Sequence, residues 1–447
     1  MKLTVKEKIS YGVGAVGKDM VYAFVSGFLM LYYNTVLGIS ATFIGILFMA
    51  ARIFDALNDP LMGIIVEKTK SRFGKFRPWL FIGTILNAIV LYAMYAVPES
   101  ITGTPLLLYT SIAYILWGMT YTVMDIPYWS MIPAITQSGK DRETISVIAR
   151  SCAGIGFAIP TALTMFLVPR LGNGNERLGF KIFAAIVAVF FILSVLVTVL
   201  NVKEKVQEKQ KAVTLKEMFK TLVKNDQALV VVIGIVVFNA SLYLTQQLAV
   251  YFFKYDIGNE ELFGVFGTVG GAAQILAMTF LPVLRKKFAC KKILIGAITT
   301  TLIGYSILFI LGTLGITNLV ALCGAAIIIF IGFGLATVLT TIFLADTVDY
   351  GEWKNGSRSE SVIFSLQTFV VKLASALSVL IAGVGLDLIG FDKDAIAQSG
   401  ETLFGLRMIM VIIPMVGLIA SILYFKKKYK LDEAMLSKIT TELRERK

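Results

Sequence analysis

The sequence predicts an all-α integral membrane protein with twelve transmembrane helices in two six-helix halves. Three observations carry that expectation. The 447 residues are 57% hydrophobic and only 16% charged, outside the range of soluble globular domains. Apolar runs of about 20 residues, each long enough to cross ~30 Å of hydrocarbon, recur along the whole chain. One long polar connection, residues 202–227, divides them six and six.

Taken in order, the first half (residues 1–201) should hold spans at 11–36, 43–66, 79–97, 105–135, 147–170 and 180–201. The second half with its tail (228–447) should hold them at 228–254, 262–284, 293–314, 319–348, 361–390 and 404–425. Strongly basic connections follow the second span (Glu67 to Pro78) and the eighth (Arg285 to Lys292). Lys140 and Arg142, Lys354 and Arg358, and Lys426 to Lys428 mark others on the same side. The intervening connections are weakly basic or, like Asp256 to Glu261, acidic. This alternation places both termini and the basic loops on the cytoplasmic side of a cell membrane. The recurrence of the basic loop six spans later is the mark of parallel repeats. Within 202–227, Thr214 to Val223 is amphipathic, as expected of a helix lying on the inner surface.

Composition also excludes. The net charge of +13 resides in short loops between apolar runs, so nucleic acid is a poor reading of it. No histidine occurs, which removes the commonest proton carrier and metal ligand. Cys152, Cys290 and Cys323 have no metal-binding spacing and read as free thiols. Met1 to Lys8 is basic, but Lys18 and Asp19 interrupt the apolar run after it. That makes a poor signal peptide, and the first span is expected to stay.

Against this background four carboxylates, Asp19, Asp55, Asp59 and Asp125, fall inside apolar spans. A charge there is costly and marks a functional site by default. In Arg52-Ile-Phe-Asp55-Ala-Leu-Asn58-Asp59-Pro60, the side chains of Asp55, Asn58 and Asp59 share one helix face at i, i+3 and i+4. Such an all-oxygen set suits a hard cation such as Na⁺. The competing structural reading pairs Arg52 with Asp55. It leaves Asp59 and Asn58 without a local partner, and two adjacent carboxylates repel until one is protonated or a cation binds. Pro60 frees the carbonyl of Ala56, a kink or a further oxygen ligand.

The fourth span supplies a second constellation. Tyr121, Asp125 and Trp129 are spaced by four and share a face, with Gly118 and Thr122 beside it. An aromatic ring next to a carboxylate is how proteins hold sugars: the ring takes the C–H face and the carboxylate accepts hydroxyls. Lys18 and Asp19, with Tyr22 one turn on, come from the first span. Lys18, Arg52, Arg150 and Lys372 are four bases to set against the four acids. At the end of the tenth span Asp346 and Asp349 stand at i, i+3. They read equally as a solvated helix end or as a gating latch to basic loops.

Several motifs together resemble one family. Asp55-Ala-Leu-Asn-Asp-Pro60, Gly74-Lys-Phe-Arg-Pro-Trp79, Leu344-Ala-Asp-Thr-Val-Asp-Tyr-Gly-Glu-Trp353 and Ser365-Leu-Gln-Thr-Phe-Val-Val-Lys372 are similar to those of the glycoside–pentoside–hexuronide:cation symporters of the major facilitator superfamily. The likeness covers essentially the whole chain. Gly17-Lys-Asp19 and Asp125-Ile-Pro-Tyr-Trp129 resemble its melibiose-carrying branch. The resemblance implies a major facilitator fold and a secondary symporter that couples Na⁺, Li⁺ or H⁺ to galactoside uptake, with no resident cofactor and no obligate protein partner. It implies that Lys18, Asp19, Asp125, Trp129 and Arg150 hold the sugar. Asp55, Asn58 and Asp59 would hold the cation, and Tyr121, Thr122 and Lys372 would sit at the junction of the two sites. The chain departs from that branch near Thr337, where a Trp is usual, and around Ile148 to Cys152, which is less aromatic.

Two rivals come from other classes. A membrane-embedded hydrolase or transferase would need a nucleophile–base motif or a metal cluster, and the sequence offers neither. A lysolipid carrier would need a greasy lateral cleft in place of Asp19, Asp125 and Trp129.

Overall fold

The computed structural model describes residues 3–135, 140–204, 220, 222–356, 360–393, 395 and 397–445. Most of the expected surface helix at Thr214 to Val223 lies outside the described residues. Among the described residues the secondary structure is helical, joined by turns and short connections. Eleven helices are long and apolar enough to cross a membrane. With Ala41–Lys68, 28 residues long, they make twelve.

We number the helices α1 Val5–Val36, α2 Ala41–Lys68, α3 Arg77–Tyr95, α4 Gly103–Ile135, α5 Lys140–Leu171 and α6 Glu176–Asn201 in the first half. In the second half stand α7 Asp226–Asp256, α8 Glu261–Arg285, α9 Cys290–Thr313, α10 Leu319–Asn355, α11 Glu360–Leu388 and α12 Gly400–Lys428. A thirteenth helix, α13 Glu433–Glu445, comes after them. Starts are set by side-chain caps. Thr4 and Glu7 form a reciprocal capping box, and Ser40, Asn175, Asn225, Asn318 and Ser399 each accept a first-turn N–H. The tail helix is absent from the sequence reading. Its signals are Asp432, whose carboxylate accepts the N–H of Met435 at 2.8 Å, and Ile439, fully buried. It packs on α10, where Trp353 Nε1 donates to Glu442 at 2.6 Å.

The chain divides into two compact units, Met1–Ala212 and Val213–Lys447. In the first, α1 packs on α5 and α6, and α2 and α3 pack on α4. In the second, α7 packs on α11 and α12, and α8 and α9 pack on α10. The pairing is the same in both. So is a backbone detail: α1 ends in a π-helical turn at Tyr32–Val36 and α7 in one at Phe252–Asp256. Each turn is followed by a glycine with positive φ, Gly38 at 72° and Gly258 at 73°, a conformation other L-residues rarely adopt. Nothing in hydrophobic periodicity announces a π-turn, because it adds one residue without changing which residues are apolar.

Candidate functional site

The site grows from α1, α2 and α4. Lys18 points inward and is 2% exposed. A buried ammonium needs acceptors, and two carboxylates supply them. Lys18 Nζ lies 2.6 Å from Asp125 Oδ1 and 3.1 Å from Asp19 Oδ2. It also donates to Tyr121 Oη at 3.4 Å. Trp129 Nε1 donates to the same Asp125 Oδ1 at 3.1 Å, so the spacing of four along α4 is locked as a bonded pair. Lys18 Nζ stands 4.9 Å from the centre of the Trp129 ring, and the Arg150 guanidinium 4.4 Å from it, both within cation–π range. Asp125 Oδ2 has no partner among the described residues. The Asp125 side chain is 28% exposed, which leaves that oxygen open to a ligand hydroxyl.

The second cluster lies where α2 meets α4. Asp55 is buried, and Asn58 and Asp59 are half-buried. Arg52 and Asp55 approach at 3.8 Å, long for a hydrogen bond. The two still form an ion pair, and the guanidinium also sits among rings, 5.3 Å from Tyr22 and 5.9 Å from Trp117. Across the interface, Thr122 Oγ1 donates to Asp59 Oδ1 at 3.1 Å. One turn earlier Gly118 leaves the space that Asp55 fills: a Cβ there would meet Asp55 Oδ1 at 2.6 Å. Positions 118 and 122 of α4 thus face positions 55 and 59 of α2, both pairs one helical turn apart. The side chains of Ala56 and Pro60, where a freed carbonyl was expected, lie outside the described residues.

The two clusters are joined by aromatic contacts. Tyr121, which touches Lys18, lies 5.7 Å ring to ring from Tyr22 and 5.4 Å from Trp117, and these flank Arg52. One chain of contacts runs Asp125, Lys18, Tyr121, Tyr22, Arg52, Asp55. The first unit therefore brings together Lys18, Asp19, Tyr121, Asp125, Trp129 and Arg150 in one cluster, and Asp55, Asp59 and Thr122 in another. Lys372 on α11 and Asp346 and Asp349 on α10 belong to the second unit, where all three are half-buried. Asp346 lies in the field of Asp349 and Arg285. Sequence reasoning missed Trp117 as a site residue and did not assign Tyr22 or Gly118 a partner. The available signal was Tyr22 four residues after Lys18, and Trp117-Gly118 on the turn before Tyr121.

Chemically, α2 and α4 offer carboxylates, a hydroxyl and an amide, all oxygen, which fits a hard monovalent cation. Among the described residues no group of three or more His, Cys, Asp or Glu could hold a metal ion. A cation at α2 would rest on two carboxylates and neutral oxygens.

Comparison with known proteins agrees with this architecture. Residues 10–433 match the family model described as MFS/sugar transport protein. The isoprimeverose transporter of Lactiplantibacillus pentosus is 30% identical over 437 residues, covering 96% of this chain and 90% of that protein. The lactose permease of Lactobacillus delbrueckii subsp. bulgaricus is 29% identical over 464 residues, covering 99% of this chain and 73% of that protein. Among solved structures, nucleoside transporter NupG superposes with a TM-score of 0.67 at 15% identity, over 95% of this chain and 100% of that one, a likeness of fold. With twelve helices in the major facilitator arrangement and a family match over nearly its whole length, the chain belongs to the MFS/sugar transport protein family of membrane transporters.

Proposed function

We propose that the protein is a secondary active symporter that couples inward Na⁺ movement, with Li⁺ as a substitute, to uptake of an α-galactoside such as melibiose. The observation that carries the proposal is the sharing of α4 by both clusters. Thr122 and Gly118 face the carboxylates of α2, while Tyr121, Asp125 and Trp129 face Lys18 and Asp19. A cation that seats between Asp55, Asn58 and Asp59 fixes Thr122, and with it the rotation of the helix that presents Tyr121 and Asp125 to the sugar.

The residues supply the steps. Without a cation, the α2 carboxylates repel, and a dehydrated closed state is disfavoured. The cation removes that repulsion. The sugar then replaces part of the Lys18–Asp125 contact with hydroxyl bonds to the open Asp125 Oδ2 and to Asp19, while an aromatic face covers its C–H surface. With both ligands bound the two α2 carboxylates are balanced by Arg52 and the cation and desolvated at lower cost, and the halves exchange access. The names of the relatives, isoprimeverose transporter and lactose permease, support a disaccharide. Arg150 and Lys372 would add donors to its hydroxyls, and Asp346 and Asp349 would close the cytoplasmic side.

A proton-coupled glycoside, pentoside or hexuronide symporter is the second reading. Lys18, held between two carboxylates, favours it, because that group of three could carry a proton without α2. Uptake of labelled melibiose into membrane vesicles under imposed Na⁺, Li⁺ or pH gradients separates the two. Accumulation of unchanged sugar driven by Na⁺ or Li⁺ is expected. Uptake indifferent to both cations at every pH, yet driven by a proton gradient, would overturn the sodium assignment.

A further inference from the structure

One corner recurs in both units and is closed by opposite charges. In the first unit the α2–α3 connection meets the exit of α6. Arg77 Nε donates to the Val199 carbonyl at 2.6 Å. The Glu204 carboxylate accepts the N–H groups of Lys75 and Phe76, both at 2.8 Å. Gly74, at φ 99°, lets it in, since a Cβ there would clash with Glu204 Oε1. An acid from the exit of α6 thus anchors the basic loop and offsets its charge.

In the second unit the α8–α9 connection meets the exit of α12 in the same way. Lys291 Nζ donates to the Tyr429 carbonyl at 3.4 Å, as Arg77 does to Val199. The residues that arrive are not acidic. Lys426, Lys427 and Lys428 end α12 and Lys430 follows it, while Lys286 and Lys287 lie in the loop and Lys292 in the first turn of α9, all exposed. Among the described residues none of these seven has an ion-pair partner. The acids nearby are engaged or few: Arg285 faces Asp346, Asp432 caps α13, and Glu433 lies by Cys290. Two like-charged segments, far apart in sequence, meet at a hydrogen bond from the Lys291 ammonium to a backbone carbonyl, with no carboxylate in it. Phe280 and Val283 at this end of α8 and Phe288 in the loop after it stand exposed, at 61%, 54% and 52%.

We propose that this corner of the second unit binds the headgroup of an acidic phospholipid. The lysines supply what the phosphate needs, and the exposed apolar end of α8 supplies a surface for acyl chains. A lipid commits both features, whereas a free anion would use only the lysines. The lipid takes the place that Glu204 holds in the first unit.

The test uses the purified full chain in mixed micelles of phosphatidylglycerol and phosphatidylcholine, with retained lipid counted by native mass spectrometry. The expected result is preferential retention of phosphatidylglycerol. Retention should weaken at least about tenfold when Lys286, Lys287, Lys427 and Lys428 are all changed to Gln, since each lysine near an anionic surface contributes appreciably. The same four changed to Arg should retain the lipid, which separates charge from packing. Lys70→Gln with Arg72→Gln, in the matching corner of the first unit, should leave retention unchanged. The proposal is overturned if the Gln variant retains the lipid like the parent, if the Arg variant loses it, or if the Lys70/Arg72 variant loses as much. It is also overturned if inorganic phosphate displaces the lipid at equal concentration, the outcome for a free-anion site.

Discussion

In the first unit α1 carries Lys18 and Asp19, and α2 carries Arg52, Asp55 and Asp59. The π-turns pair Tyr32 with Phe252, and the first residues of α2 and α8 pair Ala41 with Glu261, both at an offset of 220. At that offset the second unit has Phe238, Asn239, Ala272, Ile275 and Thr279. Helix pairing, π-turns and positive-φ glycines are common to both units; the charges are not. The difference teaches that a repeated scaffold keeps its backbone devices while the mid-span charges of its first two helices stand in one copy. Charge in an apolar setting is stable only with partners, and Lys18 needs three neighbours from two helices. The second unit places its buried pair at the other end of the same helix. Arg407 binds Asp256 through two bonds at 2.5 and 2.7 Å, with the Asp256 side chain only 2% exposed. The matching residue of the first unit is Val36.

The strongest way to break the comparison is at the α2 carboxylates. Asp59→Cys should abolish sugar accumulation while leaving sugar exchange or binding partly intact, and Thr279→Cys at the matching place should leave accumulation near the parent level. Vesicle uptake and equilibrium sugar binding measure both. Loss of sugar binding in a folded Asp59→Cys protein that still binds the cation would reverse the division of roles between α2 and α4.

Next in size is the buried pair of the second unit. Asp256→Asn leaves Arg407 charged and short of a carboxylate, so unfolding in detergent should become easier by about 3–5 kcal/mol. Val36→Ala should cost no more than roughly 1 kcal/mol. Equal melting temperatures for the two variants would remove the asymmetry between the units.

The smallest expected effect sharpens the comparison within the first unit. Asp125→Asn keeps the shape but weakens the contacts with Lys18 and Trp129 and removes charge assistance to a sugar hydroxyl, worth about 1.5–3 kcal/mol. Galactoside affinity should fall at least about tenfold, as ~1.4 kcal/mol corresponds to tenfold. Cation binding measured without sugar should change less, because α2 carries that site. Unchanged affinity in purified Asp125→Asn protein would remove Asp125 from the sugar site.

Much of this was legible in the chain. The spans, the i, i+3, i+4 carboxylates of α2 and the 121–125–129 stripe of α4 are local periodicities, and a helix translates them directly into faces. The Arg52–Asp55 spacing was equally legible: the pair forms, at 3.8 Å. What the sequence did not show is that the guanidinium also leans on Tyr22 and Trp117. The tail helix α13 was overlooked because its polar sequence gives no spanning signal, although Asp432 and Ile439 mark its start and its buried face.

By itself the sequence determined that this chain lies in a membrane as twelve helices in two halves, which residues break its apolar runs, and which of them share a helix face. Hydrophobic length and side-chain period decide those matters, and both are properties of neighbouring residues. Only the tertiary structure decided that Lys18 joins Asp125 to Asp19, that Gly118 makes room for Asp55, that Thr122 reaches Asp59, and that Glu204 closes one corner while lysines crowd the other. Those contacts depend on how far each helix is rotated and how closely it packs on the next. Close packing sets that across the whole unit, and no single segment encodes it.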